Sequence, residues 1–225
     1  MSRPRIVIAT RNPGKLREIQ EVLAGLEAEL VSLAQLDPAG RIAEPEETGQ
    51  TFADNARAKA EYYARATGLW ALADDSGLQV DALGGAPGVQ SARFAGVPKP
   101  GATRQQIDQA NNARLLEELA GVPERRRAAR FRCHLALHDG RRVRLEADGV
   151  IEGRIISDPR GANGFGYDPL FYVDELGCTT AELPSERKNQ VSHRGQALRQ
   201  FASRLKELLT AEPAETAETE RTGIE

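Results

Sequence analysis

Cysteine is nearly missing from this chain. Cys133 and Cys178 are the only two in 225 residues. They lie far apart, with no CxxC or Cys/His ligand spacing, which argues against a disulfide framework or a zinc site and for two small buried hydrophobes. Histidine is also scarce. His134 and His138 share one face of a strand pattern but lack a third ligand, so a metal role for them is not expected. No apolar run approaches the length that crosses a membrane, and the N-terminus reads as a strand rather than a basic, apolar, small-residue leader. The expectation is a cytoplasmic protein without a membrane partner. Positive charge is not in excess either. A formal net charge of −3 gives no overall attraction to a nucleic-acid backbone, so nucleic acid is not an expected partner. Arg125-Arg126-Arg127 reads as a solvated turn.

What is present is the balance of a soluble globular protein, with 28% charged and 40% hydrophobic residues, long enough for one large domain or one domain with two lobes. No internal repeat is found. Residues 1–210 are expected to form a single two-lobed domain. Residues 211–225, rich in Glu, Thr, Ala and Pro, are expected to form an acidic, disordered tail. Helices announce themselves by their ends: one after Pro13-Gly14, one from Thr51 to near Gly68, one from Thr103 to before Gly121, and one from about Ser192. Strand patterns cover Arg5–Thr10, Glu29–Leu33, Leu69–Ala73, Leu78–Ala82 and Phe171–Val173. Phe131–Leu137 and Arg142–Ala147 flank an Asp139-Gly140 pair that favours a type I′ hairpin turn. The order predicts an α/β fold with a mixed sheet and flanking helices, in two lobes around a cleft.

Four segments carry chemistry. In Ile6-Val7-Ile8-Ala9-Thr10-Arg11-Asn12-Pro13-Gly14-Lys15-Leu16, an apolar strand opens into a helix with Leu16, Ile19, Leu23 and Leu26 on one face. Free N–H groups and the positive end of the helix dipole suit an anion there, with Lys15 as a point charge. The spacing is not a Walker A loop. Ala73-Asp74-Asp75-Ser76-Gly77 places two acids where a strand ends. They are hard oxygen ligands suited to Mg²⁺, and only one of them need reach a given metal, because neighbours on a strand point to opposite faces. Glu46-Glu47-Thr48-Gly49 offers further carboxylates. Gly161 to Pro169 holds three glycines around Phe165, Tyr167 and Asp168, where an aromatic beside a carboxylate can stack and hydrogen-bond a base. It is not a GxGxxG fingerprint. Lys188 and His193-Arg194 open the last helix with donors for phosphate or carbonyl.

Taken in order, these motifs resemble the inosine triphosphate pyrophosphatase family, also called dITP/XTP or non-standard purine nucleotide pyrophosphatases. The resemblance is carried by Thr10-x-Asn12-x-x-Lys15, Glu46-Glu47-Thr48-Gly49-x-Thr51-Phe52-x-x-Asn55-Ala56 and Ala73-Asp74-Asp75-Ser76-Gly77-Leu78. Gly84-Gly85-Ala86-Pro87-Gly88-Val89-x-Ser91-Ala92-Arg93, Phe165-Gly166-Tyr167-Asp168-Pro169 and Lys188-x-x-x-x-His193-Arg194-Gly195 complete it. It runs from residue 5 to about 209. Arg11 stands where some members have Gly.

The resemblance implies a long, twisted mixed sheet in two lobes around a nucleotide cleft, a homodimer, and Mg²⁺-dependent hydrolysis of a purine nucleoside triphosphate to monophosphate plus pyrophosphate. It assigns the triphosphate to Thr10, Arg11, Asn12, Pro13, Gly14 and Lys15. Metal binding and activation of the attacking water fall to Asp75, with Glu46 as second metal carboxylate and Glu47 next in line. Ser76 contacts substrate. Phe165, Gly166, Tyr167, Asp168, Lys188, His193 and Arg194 line the nucleotide site. From the chemistry of these side chains, Phe165 or Tyr167 is expected to stack the purine while Asp168, His193 and Arg194 read its edge. Two alternatives compete: a Maf-like pyrophosphatase of different base specificity, and a non-catalytic nucleotide-binding module.

Overall fold

The apolar run at the N-terminus forms β1 (Arg5–Ile8). Asn12 then caps α1 (Pro13–Val22), its side-chain oxygen accepting from the N–H groups of Gly14 (2.9 Å) and Lys15 (3.2 Å). The chain returns through β2 (Glu29–Ser32), parallel to β1 in the register Arg5↔Glu29 to Ile8↔Ser32. This computed structural model describes residues 4–97 and 99–219, with the backbone alone for 211–219. A one-turn helix, α2 (Leu33–Leu36), follows. Next comes α3 (Phe52–Thr67), which starts on the Thr51 hydroxyl and stops at Gly68, whose φ of +68° favours glycine.

β3 departs from expectation. The two strand patterns on either side of Asp74-Asp75-Ser76-Gly77 are one continuous strand, β3 (Trp70–Val80). The acids therefore lie mid-strand rather than at a strand end. Asp and Gly are poor strand formers, but β3 pairs without interruption against β4 (Ala128–His138), from Ala71↔His138 to Val80↔Ala129, and the ladder outweighs local propensity. β5 (Val143–Ile155), β6 (Phe171–Val173) and β7 (Cys178–Thr179) complete a sheet ordered β2-β1-β3-β4-β5-β6-β7. β1 is parallel to β2 and β3, and the other pairs are antiparallel. The fold is thus α/β with a mixed sheet, as expected.

The β4–β5 connection is a second departure. A type I′ turn needs positive φ at both central residues, and among the described residues only glycines have it. Instead residues 139–142 form a longer loop in which the Asp139 carboxylate accepts from the N–H groups of Arg141 and Arg142, both at 2.8 Å.

Side chains alternate along β3, with Leu72, Asp74, Ser76, Leu78 and Val80 on one face and Ala71, Ala73, Asp75, Gly77 and Gln79 on the other. The first face packs at one end under α1 and α6 (His193–Thr219), where Leu72, Leu135 and Leu137 meet Ile19, Leu23, Leu198, Phe201 and Leu205. At its other end Leu78, Val80, Phe131 and Ile155 meet Leu115 of α4 (Arg104–Glu118) and Leu119, which caps its C-terminus. Each fully buried Leu or Phe there contributes about 2 kcal/mol. Asp74 and Ser76 lie between these two apolar blocks. On the second face, small residues of the sheet (Ala71, Ala73, Ala136) let α3 approach through Ala56, Ala60 and Ala64.

Of the arginine run, Arg125 and Arg126 are exposed. Arg127 is buried, contrary to the solvated reading, and donates to the Leu119 and Val122 carbonyls and to Ser157 Oγ. Cys133 is buried, Cys178 partly so, and neither is in a disulfide. The backbone of α6 continues to Thr219, into the segment expected as a tail, and residues 220–225 lie outside the described residues. No helix of the described residues is long and apolar enough to cross a membrane.

Candidate active site

Two close approaches bring the last helices over the middle of the sheet. A Cβ at Gly149 of β5 would come within 1.9 Å of the His193 carbonyl oxygen, and one at Gly195 within 1.8 Å of that of Asn189. Glycine at both places seats α6 and α5 (Ser185–Val191) where Lys188, His193 and Arg194 reach the polar gap on the first face.

That gap holds a buried ionic lattice. Arg194 donates through Nε to Asp74 (2.8 Å), through Nη1 to Glu18 of α1 (2.5 Å) and through Nη2 to Ser76 Oγ (2.7 Å). Lys188 donates to Glu18 (2.9 Å) and Asp168 (2.6 Å). Lys15 meets Asp74 at 2.5 Å, and the Cys133 thiol donates to the same carboxylate at 3.1 Å. Burial opposes ionisation of Asp74, but Arg194 and Lys15 overcome it and hold its carboxyl well below the ordinary range. Burial likewise opposes ionisation of Glu18, and Arg194 and Lys188 bring its pKa down to about 2. Such a lattice is costly to break, because removing one partner strands another charge away from water.

Asp75, one residue on, faces the α3 side. Asn55 of α3 donates to one of its oxygens at 3.0 Å. Burial, reinforced by the nearby Glu47 carboxylate, pushes its pKa up, against Lys15, Lys59 and the Asn55 bond. Glu47 is ion-paired to Lys59 of α3 and to Arg93 (3.2 Å). Although burial works against it, Lys59 holds Glu47 below its ordinary value. Asp75 and Glu47 line one cavity, whereas Glu46 is exposed and lines only the adjoining compartment. The structure therefore brings Glu47, rather than the expected Glu46, to Asp75. Two repelling carboxylates at one cavity fit a hard divalent cation. Among the described residues no cluster of three or more His, Cys, Asp or Glu forms a self-contained metal cage.

Across the cavity lies the N-terminus of α1. Thr10 Oγ1 accepts from the Asn12 N–H (3.1 Å), and Gly14 lies against the Phe165 ring, which a Cβ would strike at 2.4 Å. Pro13 and Gly14 line the compartment in front of the helix. Arg11 turns away. Its Nη2 donates to the Ile42 carbonyl (2.6 Å) and lies 3.6 Å from Asp37, so this side chain ties the acidic loop to the α1 entry and lines none of the three compartments.

The 161–169 loop is held from several sides. Asp168 accepts from the Phe165 N–H (2.8 Å), Thr180 Oγ1 (2.8 Å) and Lys188, and Gly166 donates to Asp108 of α4 (2.9 Å) while accepting from Asn112 (3.0 Å). The Tyr167 hydroxyl donates to the Ser91 carbonyl at 2.8 Å, and burial raises its pKa to beyond the ordinary range. Tyr167 is thus a strut, which leaves Phe165 as the aromatic beside Lys188 (4.8 Å) and Arg194 (5.5 Å). His193 stacks on Phe131 at 4.9 Å and 10° between planes, and its Nδ1 is buried without a partner. Burial first, and Arg194 second, push its pKa well down, so the imidazole is neutral.

Asn12, Lys15, Asp75, Ser76, Phe165, Gly166, Tyr167, Asp168, Lys188, His193 and Arg194 line one cavity. Sequence reasoning missed Glu18, Asn55, Asp108 and Phe131. For Glu18 a signal existed: it lies three residues after Lys15, on the same side of the helix. His134 and His138 serve structure, His134 between Glu146 and Asp148, and His138 accepting from the Gly140 N–H.

The model of the Ham1 family matches residues 6–204. The dITP/XTP pyrophosphatase of Geobacter sulfurreducens is 53% identical over 194 residues, covering 86% of this chain and 92% of that protein. That of Bacillus subtilis is 46% identical over 199 residues, covering 88% and 96%. Among solved structures, a HAM1 protein from Coxiella burnetii is similar with a TM-score of 0.77 at 44% identity, covering 91% of this chain and 99% of that one.

Proposed function

The chain belongs to the Ham1 family, and from that premise we propose that it hydrolyses non-standard purine nucleoside triphosphates (dITP, ITP, XTP and dXTP) to the monophosphate and pyrophosphate, clearing deaminated purines from the nucleotide pool. The observation that carries the chemistry is the divergence of the two adjacent acids. Asp74 is held ionised by Lys15 and Arg194, while Asp75 is pushed up beside Glu47 in the same cavity as Lys15 and the α1 N-terminus. Neighbouring carboxylates driven apart in pKa take different tasks.

In this reading Asp75 and Glu47 hold Mg²⁺, which when bound offsets charge on the triphosphate and aligns it for attack. Asp75 accepts the proton of the attacking water. Asn55 keeps the Asp75 carboxylate in one orientation through its 3.0 Å bond. Lys15 and the α1 N-terminus receive phosphate oxygens. Water attacks directly, because no Ser-His-Asp or Cys-His arrangement lies in the cavity.

Phe165 stacks the purine. The neutral His193, with an unspent Nδ1, and Arg194, three of whose five donors are committed, read its edge. A 6-oxo group accepts from these donors, whereas the 6-amino group of adenine leaves donor facing donor. The enzyme is further proposed to work as a cytoplasmic homodimer, which sedimentation of the purified protein tests.

The deciding experiment is product analysis in Mg²⁺ with dITP, XTP, dATP and dGTP. Monophosphate and pyrophosphate from dITP and XTP alone are expected. Equal turnover of all four would overturn the base reading and leave the chemistry, and nucleotide binding without turnover would overturn the enzyme.

A further inference from the structure

Arg104 stands where the three compartments of the cleft meet. It lines the inner cavity with Asp75, the compartment before the α1 N-terminus with Gly14, and the one over the acidic loop with Glu47. The other basic side chains of the inner cavity are committed: Lys15 to Asp74, Lys188 to Glu18 and Asp168, and Arg194 to Glu18, Asp74 and Ser76. Arg104 is 37% exposed and has a single ion-pair partner, Asp108, at 2.9 Å from Nε. Among the described residues no hydrogen bond engages its Nη1 or Nη2.

Helix stability does not account for it. The Thr103–Gln106 capping box sets the start of α4, which puts Arg104 at the first helical position, where the helix dipole disfavours a cation. An Arg placed four residues before an Asp is also the weaker order for such a pair.

We propose that Arg104 is a further substrate-binding residue. Its uncommitted guanidinium fork takes the β- and γ-phosphates of the nucleoside triphosphate, opposite the α1 N-terminus. This deepens the pyrophosphatase reading and rests on it. The planar fork matches phosphate oxygens in pairs. The Arg104 Nε and Asp108 Oδ1 are buried and form no hydrogen bond despite their 2.9 Å approach, so one poorly directed contact is exchanged for phosphate, whereas Lys188 and Arg194 would have to leave hydrogen-bonded buried carboxylates. Asp108 keeps the Gly166 N–H on its other oxygen (2.9 Å), so Arg104 can turn to phosphate without releasing the loop that carries Phe165 and Asp168.

The test compares wild type, Arg104→Ala, Arg104→Lys and Asp108→Asn by calorimetry with tripolyphosphate, pyrophosphate and dIMP in Mg²⁺, alongside dITP kinetics. In Arg104→Ala the affinities for tripolyphosphate and pyrophosphate fall about tenfold and the KM for dITP rises by a similar factor, as expected for lost charge-assisted bonds. dIMP binding stays unchanged, and Arg104→Lys falls between. Asp108→Asn keeps an acceptor for the Gly166 N–H and removes only the charge facing Arg104, so dIMP binding stays unchanged and tripolyphosphate binding does not fall. Parallel weakening of dIMP and tripolyphosphate in Arg104→Ala would overturn the proposal, making Arg104 a support for the loop, and so would no change in either. Failure of the wild type to release pyrophosphate from dITP would defeat the pyrophosphatase reading alone, since tripolyphosphate binding still decides whether Arg104 holds polyphosphate.

Discussion

Asp74 and Asp75 are consecutive in β3 but belong to opposite faces of the sheet, and the two faces treat a carboxylate in opposite ways. On the α6 face Asp74 accepts from Arg194, Lys15, Ser76 and Cys133 and is driven toward ionisation. On the α3 face Asp75 has one hydrogen bond, from Asn55, and a like charge nearby, and is driven toward the proton. The first arrangement makes a fixed anchor for cations and the second a carboxylate with something left to do. Chemical identity and one peptide bond of separation decide nothing here; the helix packed above each residue does.

The sharpest way to break the contrast is to remove each charge in turn. Asp75→Asn is expected to lower kcat by roughly 10²–10⁴, the scale of a lost general base, with the fold intact. Its folded pKa is raised, so the ionised form costs stability once pH exceeds the ordinary aspartate value, and the variant should melt no lower than wild type at pH 7. Asp74→Ala should do the reverse to stability, with a loss of about 3 kcal/mol because Arg194 and Lys15 lose the buried carboxylate they share and Glu18 alone remains against Arg194, read by denaturant unfolding.

A smaller effect separates the faces by pH. Glu18, lowered from 4.5 to about 2, contributes stability that is complete above its unfolded value and is lost as pH falls toward 2. In Glu18→Gln the slope of unfolding free energy against pH between those values should be shallower than in wild type. An unchanged slope would mean that the lattice does not select the ionised form. Smallest of all, Asn55→Ala should move the acidic limb of the kcat/KM profile upward by about half a pH unit, since the bond it removes favours the ionised Asp75. A downward shift would reverse the assignment of Asn55.

Local signals were legible wherever the physics is local. The caps at Thr51 and Thr103, the βα entry and the apolar face of α6 all stand where side-chain chemistry and helical period put them. The single strand through Asp74-Asp75-Ser76-Gly77 was not legible, because only the ladder with β4, more than fifty residues away in the chain, overrides the turn-like composition. The turn at Asp139 misled for a related reason, since an Asx arrangement competes with type I′ for the same dipeptide. Glu18 and its cations are joined by contacts that span most of the chain, beyond any window of periodicity. Choosing between Glu46 and Glu47 required knowing which way an irregular loop faces.

The unbroken pairing of β3 with β4 runs beneath both apolar blocks and the gap between them. A floor made of one ladder behaves as a beam rather than a hinge, since bending it sharply at Asp74 would break hydrogen bonds that no water could replace from within. Aperture must therefore be set by the walls. The first turn of α4 and the Gly161–Asp168 loop, joined by the bond from Gly166 to Asp108, form those walls, so a ligand is bounded by groups outside the ladder while the two carboxylates stay set into the beam.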